Sequence, residues 1–354
     1  MNKLIRIGNK FIGEYPYFIA DIAANHDGNI DRAYKLIELA KEAGADAAKF
    51  QNFKAPKIVS KNGFDSLNSQ LSHQASWTKS VYEIYEEASI AEEWTSKLKE
   101  KCEQVGIEYM TSPYDFESVD LVNPYVNAFK IGSGDITWIE ILRYIANKDK
   151  PVLLATGAST IEDVKRAVSE IQSINKNIVL MQCNTNYTVS KENFKYINLN
   201  VLKTYKKCFP DVILGLSDHT FGCSTVLGAI ALGARVIEKH FTDDNNRIGP
   251  DHKFSMNPGS WREMVEYSRE LYEALGDGIK KIEENEKETA IVQRRGLYFT
   301  KKLSAGHIIQ KEDLFPVRPI KNDAIPPYEI NKIIGKTLIK GVEKDTYVKW
   351  EDIK

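Results

Sequence analysis

Short apolar runs alternate with amphipathic stretches eight times between Tyr17 and His240, and this alternation leaves the chain few architectures. The runs are YFIADIA (17–23), ADAAKFQ (45–51), IEYMTS (107–112) and NAFKIGS (127–133). They continue with PVLLAT (151–156), NIVLMQC (177–183), DVILGL (211–216) and ARVIEKH (234–240). Each is short and rich in aliphatic residues, like the strands of a parallel sheet buried on both faces. Helix-like stretches such as 29–44 and 161–174 lie between them. In the second of these, Ile161, Val164, Val168 and Ile171 share one helical face. Eight strand–helix units in about 275 residues match the count and length of an α/β (β/α)8 TIM barrel. A doubly wound sheet is the competing arrangement, but no GxGxxG turn follows the first strand. The expected fold is the barrel, over residues 1–280.

A barrel gathers its chemistry where strands end and βα loops begin. Those positions hold Asp21, then Lys49 and Gln51, then Ser112, then Lys130, Ser133 and Asp135. Thr156 and Gly157 follow the fifth strand; Asn184, Thr185 and Tyr187 the sixth; Ser217 and His219 the seventh; His240 the eighth. The result is one polar bowl on an apolar barrel. Its sharpest feature is the stretch 211–258, where two consecutive strands each end in a histidine, Ser217-Asp218-His219 and Glu238-Lys239-His240. Neighbouring strands lie about 4.8 Å apart, so both imidazoles would emerge on the same rim. With carboxylates following at Asp243, Asp244 and Asp251, they suit a divalent metal that keeps open positions. The alternative is two unrelated strand-end histidines.

The run Lys130-Ile131-Gly132-Ser133-Gly134-Asp135 joins an ammonium, a hydroxyl and a glycine-flanked turn. Such a turn can cradle a phosphate with backbone N–H groups as well as side chains. Ser112 and Ser217 on other strand ends strengthen the reading of an anion site, against a turn that merely reverses the chain.

Composition narrows the function further. The 48 basic and 49 acidic side chains nearly cancel, so charge makes no case for nucleic acid or an acidic membrane as partner. No apolar run approaches the ~18 residues of a spanning helix. The start, MNKLIRIGNKFIG, has no signal-peptide core. Cys102, Cys183, Cys208 and Cys223 form no CxxC pair and suit reduced thiols, so a cytoplasmic enzyme is expected.

Residues 281–293 are charged and lack apolar spacing, and are read as a linker to a small domain over 294–354. That domain contains an echo: KLSAGHIIQKEDL (302–314) lines up with GVEKDTYVKWEDI (341–353) at an offset of 39 residues. Leu303 meets Val342, Gly306 meets Asp345 and Ile309 meets Val348, so each half is expected to be a turn followed by a short strand.

The segments NHDG, KFQ, TSPYD, KIGSGD, ATG, GLSDHT, HFTDDNNRIGPD and SMNP occur in order over nearly the whole chain. They resemble the sialic acid (nonulosonate) synthases, which end in an antifreeze-like (SAF, β-clip) domain. The resemblance implies a transferase that condenses phosphoenolpyruvate with an open-chain N-acylated amino sugar and releases phosphate. It implies His219 and His240 as ligands of a divalent metal, manganese first, with magnesium or cobalt as alternatives. Phosphoenolpyruvate would lie on Ser112, Lys130, Ser133 and Ser217, helped by Asn184 or Thr185. Lys49, Gln51, Tyr187 and Asp251 would bind the sugar. Arg318 matches an arginine that one subunit extends into its partner's barrel, which implies a domain-swapped homodimer.

Four positions depart from the family pattern. Asp21 and Asp135 stand where glutamates are usual, in positions thought to touch the sugar or its reacting end. Ala155 replaces a hydroxyl residue, for which Thr156 could substitute, and Thr185 replaces a common asparagine. These departures bear on the sugar rather than on the reaction. Two other readings stay open: the same condensation on a shorter, non-acylated or phosphorylated aldose, and a catalytically silent binding or assembly protein. A phosphorylated sugar would call for a basic cluster on the rim, where Lys49, Lys239 and Arg247 are the candidates.

Overall fold

The fold is described from a computed structural model, which covers residues 3–67, 69, 71, 74–75 and 77–354. Its first element is an antiparallel hairpin of β1 (Ile5–Ile7) and β2 (Lys10–Ile12). Strands of three residues are too short for a periodicity to register, so this element is illegible in the sequence. Ile5, Ile7 and Ile12 are buried against Ile19, Met110, Met181 and Val236, and so stop the lower end of the barrel.

The eight predicted runs all form strands: β3 (Tyr17–Asp21), β4 (Ala47–Asn52), β5 (Glu108–Pro113), β6 (Phe129–Ile131), β7 (Val152–Ala155), β8 (Ile178–Cys183), β9 (Ile213–Asp218) and β10 (Val236–His240). They make one parallel sheet in the order β5-β4-β3-β10-β9-β8-β7-β6, and β5 and β6 meet side by side to close it. The chain is therefore the (β/α)8 barrel that the alternation predicts. The strand β6 is shorter than its run because Ser133–Asp135 already turns as a 3₁₀ helix.

The outer layer holds α1 (Ile30–Glu42), α2 (Ala55–Ile58), α3 (Lys61–Asp65), α4 (Val81–Ala88), α5 (Trp94–Val105) and α6 (Phe116–Val122). It continues with α7 (Ile139–Ala146), α8 (Ile161–Gln172), α9 (Val201–Cys208), α10 (Ser224–Ala231) and α11 (Pro258–Ala274). Side-chain caps mark several starts: Thr160 and Asp163 form a capping box on α8, and Asn257 and Ser260 one on α11, where Pro258 occupies the first turn. In α8, Val164, Val168 and Ile171 are buried in the core between sheet and helices, while Ile161 packs against its edge. Between β4 and β5 the chain makes an excursion through α2, α3 and α4, with a small core of its own around Ala55, Val59 and Val81. No helix among the described residues is long and apolar enough to cross a membrane.

A second compact unit spans Asp277–Lys354. Part of the stretch read as a linker is helical, as α12 (Lys287–Gln293). The antiparallel pair β11 (Gly296–Phe299) and β12 (Leu314–Val317) follows, over a core of Leu297, Phe299, Ile309, Ile325, Ile333 and Val348. The two echoing halves face each other: Leu303 N–H donates to the Val342 carbonyl at 3.0 Å and Val342 N–H returns the bond at 2.9 Å. Gly306 and Asp345, aligned in sequence, both turn at positive φ, +83° and +63°. After each turn the chain makes a 3₁₀ turn (Lys311–Asp313 and Trp350–Asp352) instead of the expected strand. The reason is local. Asp313 accepts the Gln310 N–H at 2.8 Å and Asp352 the Lys349 N–H at 3.3 Å, and these caps curl the backbone.

Gly215 lies in β9 where the barrel leaves no room: a Cβ there would stand 2.8 Å from the Val236 carbonyl oxygen and 2.9 Å from Met181 Cγ. Gly215→Ala is expected to destabilise the protein by about 1–3 kcal/mol through overpacking, read from the urea midpoint. An unchanged midpoint would show that the strands can part at this level.

Candidate active site

Strand alternation divides the ends of β9 and β10 into two faces. Ser217, His219, Glu238 and His240 face the barrel axis, while Asp218 and Lys239 face the helices. On the outer side Lys239, 1% exposed, pairs with Asp218 across the two strands and donates to the Thr220 carbonyl. Asp218 also accepts the hydroxyls of Thr220 at 2.9 Å and Thr225 at 2.7 Å. Burial pushes the Asp218 carboxyl up, but Lys239 and the two hydroxyls outweigh it and hold the group below its usual value. This charged pair locks the strand ends in register from behind, and the register aims the histidines.

On the inner side the His219 and His240 ring centroids lie 5.4 Å apart. His219 Nδ1 is 2.8 Å from the Asn184 carbonyl, which can only accept, so the proton sits on Nδ1 and the Nε2 lone pair is left free. His240 Nδ1 is buried without a hydrogen-bond partner; Asp251 lies 3.9 Å from it, and Asp21 lies 3.7 Å from the other ring nitrogen. Burial above all, then the second imidazole for His219 and the Lys49 ammonium for His240, pulls both rings down to about 3, so both are neutral at ordinary pH. Tyr187 packs 4.1 Å from the His219 ring and Phe254 4.9 Å from His240, which fixes the two rings.

Two neutral imidazoles with free lone pairs, one of them otherwise orphaned, fit a divalent cation. Among the described residues no three His, Cys, Asp or Glu side chains converge as a ligand set. A cation held here would take two nitrogens from these residues and its other positions from oxygen of substrate or water. Asp243 and Asp244 do not join them. Asp243 is paired with Arg32, with one contact at 2.9 Å, and Asp244 caps its own turn through Asn246 at 2.9 Å. Asp251, fastened by the Ala24 N–H at 3.1 Å, is the carboxyl that remains close. Burial pushes it up to about 7, with the Asp21 charge adding to the effect.

Below the histidines lies a floor of paired charges. Lys130 is 2.9 Å from Glu238, whose same oxygen accepts the Ser217 hydroxyl at 3.1 Å. The other Glu238 oxygen is buried and has no partner. Burial works against the Glu238 charge, but Lys130 and Lys49 pull the carboxyl down to about 2. Lys49 and Asp21 are paired at 2.6 Å rather than standing free on the rim. Burial alone would lower the Lys49 ammonium, yet Asp21 and Glu238 hold it above its usual value. Glu238 is the participant that motif reading passes over; its signal is strand period two, which puts it on the same face as His240.

The residues expected to hold an anion lie around this floor. Ser133 Oγ accepts the Gly157 N–H at 2.9 Å. A side chain at position 157 would meet Thr185 Cγ2 at 2.4 Å, so the close approach of these loops requires glycine. Ser112, buried on β5, lies beside Gln51 in register. Asn184 spends its amide on the Tyr196 carbonyl at 3.2 Å, and its side-chain oxygen accepts the Asn186 N–H at 3.1 Å, which shapes its own loop. Thr156 donates to the Met181 carbonyl and accepts from Tyr205, both at 2.9 Å. Its one proton is spent on Met181, so it has none to donate in place of the hydroxyl missing at Ala155. Burial raises the Asp135 carboxyl to about 6 although Lys130 opposes it.

A cavity of about 160 Å³ opens beside His240, with Gln51, Tyr114, Tyr187 and Asp251 on its barrel side. The loop that carries Asp251 is tied down by a cluster missing from the sequence reading. Asp27 binds Arg247 at 2.7 Å and the buried His252 at 2.8 Å, and lies 3.1 Å from Arg32. Arg318 belongs to the second unit and is exposed there.

Residues 36–280 match the NeuB family and residues 294–354 match the SAF domain. The chain is 35% identical over 343 residues to the N,N'-diacetyllegionaminic acid synthase of Legionella pneumophila, covering 95% of this chain and 94% of that one. It is 31% identical over 335 residues to the N-acetylneuraminate-9-phosphate synthase of Homo sapiens, covering 94% and 91%. Among solved structures, the N-acetylneuraminic acid (sialic acid) synthetase of Leptospira borgpetersenii, in complex with citrate, matches with a TM-score of 0.72 and 27% identity, over 82% of this chain and 95% of that one.

Lys239→Met leaves the Asp218 charge buried and unpaired, and is expected to lower stability by about 3–5 kcal/mol in urea unfolding. Asp218→Leu combined with Lys239→Met should recover most of that loss. A single variant as stable as the parent would show that the pair locks nothing.

Proposed function

The chain belongs to the NeuB family and is a transferase, and on that premise we propose the reaction it catalyses. It condenses phosphoenolpyruvate with an open-chain N-acylated amino sugar, giving a nonulosonic 2-keto-3-deoxy sugar acid and phosphate. The observation that carries this reading is the pair of neutral inward imidazoles, one with an orphaned nitrogen, above a buried Lys130–Glu238–Ser217 floor. On this reading an electrophile site and an anion site are stacked at one barrel mouth.

His219 and His240 would hold a divalent cation, manganese first and magnesium or cobalt as alternatives, which when bound supplies Lewis acidity toward the sugar aldehyde. Lys130, Ser112, Ser133 and Ser217 bind the anionic groups of phosphoenolpyruvate, with Asn184 and Thr185 at the edge of the loop. The Lys130 ammonium offsets charge on the phosphate as it leaves. In the condensation, the C2–C3 double-bond pair of phosphoenolpyruvate forms the new bond to the aldehyde carbon. The carbonyl pair moves onto the aldehyde oxygen, which takes up a proton. Water adds to the electron-poor C2 and gives a proton to a carboxylate. Asp135, raised toward neutrality by burial and close to Lys130, suits that base. The tetrahedral C2 then collapses to the ketone: its hydroxyl gives up its proton, and the C–O bond pair leaves with the phosphate, which takes up that proton.

Gln51, Tyr187 and Asp251 contact the sugar, with the Lys49–Asp21 pair beneath them. Arg318, exposed on the second unit, serves the barrel of a second copy in a homodimer. The near balance of charge, the four free cysteines and the soluble substrates support a cytoplasmic site of action.

His219→Ala and His240→Ala are each expected to abolish phosphate release, at least a thousandfold, and to weaken manganese binding measured by calorimetry; full activity in either would sink the metal assignment. Arg318→Ala should impair use of the sugar while leaving phosphoenolpyruvate binding intact. Mixing it with His240→Ala should restore part of the activity, since one barrel in a mixed dimer would be whole. Absence of rescue would count against the shared site.

A further inference from the structure

Tyr114 stands just past the end of β5 and is held from both sides. Its N–H donates to the Asn52 carbonyl at 3.2 Å, and the next residue, Asp115, caps α6 by accepting the Ser118 N–H at 2.8 Å. The ring packs edge-on against Phe53, with centroids 5.8 Å apart. So placed, the phenol lies over the backbone of Gly132, in the turn that follows β6. A Cβ on Gly132 would stand 3.4 Å from the Tyr114 hydroxyl and 3.7 Å from Asp135 Oδ2. Phenol and carboxyl thus share one side of this turn, with no side chain at position 132 to separate them.

Both groups are unspent. Among the described residues, neither the Tyr114 hydroxyl nor the Asp135 carboxyl has a hydrogen-bond or ion-pair partner. Their neighbours are committed: Lys130 to Glu238 at 2.9 Å, and Ser133 Oγ to the Gly157 N–H at 2.9 Å. Burial, and then the Asp135 and Asp21 charges, hold the phenol well above its usual pKa, so it stays a neutral donor. Tyr114 also lines the cavity beside His240, at the mouth where the condensation would take place. Two unpaired polar groups around one spot call for an oxygen that can accept from one and donate to the other.

We propose that Tyr114 is a further catalytic residue, which with Asp135 holds the water that adds to C2 of phosphoenolpyruvate. A water molecule has two protons and two lone pairs. The Tyr114 hydroxyl donates to one lone pair, Asp135 accepts one proton, and the second lone pair is left to attack C2. As the oxygen–C2 bond forms, that proton passes to Asp135 and the phenol keeps its own. An aspartate has a short reach, and the phenol brings the water to it. This inference rests on the condensation proposed above.

The test is the initial rate of phosphate release by the full chain with manganese and phosphoenolpyruvate. The acceptors are N-acetylmannosamine and 2,4-diacetamido-2,4,6-trideoxymannose. Tyr114→Phe keeps the ring against Phe53, so the urea midpoint is expected to hold. Its kcat should fall by about tenfold, the loss of one positioning contact, with KM for both substrates unchanged. Asp135→Asn should lower kcat by about a hundredfold or more. Adding Tyr114→Phe to Asp135→Asn should cost little further, because both groups act on one water. An unchanged kcat in Tyr114→Phe, a raised sugar KM at constant kcat, or losses that multiply in the double variant would each overturn the inference while leaving the condensation standing. Release by the parent chain with neither sugar would overturn the condensation, and the inference with it.

Discussion

Three lysines are buried in this barrel, and each lies against a carboxylate: Lys49 on Asp21, Lys130 on Glu238 and Lys239 on Asp218. A lone ammonium at any of these depths would be strongly unfavourable or would give up its proton, whereas an ion pair with further hydrogen bonds is tolerated. Pairing allows cationic groups to sit in an otherwise aliphatic barrel, and the rest of the site depends on that permission. The pairs differ in their facing. Two point into the barrel, at the floor of the proposed site, while the third points out to the helices and holds the two strands from which the histidines rise.

The histidines show the reverse arrangement. They stay neutral because burial and the surrounding positive charge oppose protonation, and neutrality gives an imidazole nitrogen its value as a donor. The Asn184 carbonyl sets the tautomer of His219, so a residue whose side chain is spent on its own loop still governs the site through its backbone. Support of this kind orients the groups that do the chemistry. The same division of labour is seen in Asp27, which touches none of the proposed reacting groups but anchors Arg247 and His252 and hence the loop bearing Asp251.

The second unit solves a different problem. A segment this small has a marginal core, and here two similar halves close over one apolar centre, each half ended by a buried aspartate that caps its own turn. The caps explain why the repeat is legible as Glu-Asp followed by an aliphatic residue and why it folds as 3₁₀ turns.

Much of the fold was legible because it follows from periods. Eight aliphatic runs with helical spacing between them point to a parallel sheet, for which a closed barrel is the favoured arrangement, and strand period two places Ser217, His219 and His240 on its inner face. The signatures around GLSDHT and KIGSGD pointed to the bowl for the same reason, since their polar residues fall at strand ends. What only the tertiary structure decided is pairing and distance. Asp243, Asp244 and Asp251 are equivalent in the sequence, yet two are drawn away by Arg32 and by a local turn and one is held near His240. Thr156 looks able to stand in for the hydroxyl absent at Ala155 until Met181 and Tyr205 are seen to occupy it. Ile58, Ile84 and Ala88 come from short helices of the excursion between β4 and β5, and nothing local in those helices says that they line the cavity beside His240. Local periods are written in neighbouring residues; which charge is neutralised by which partner is settled only when distant segments meet.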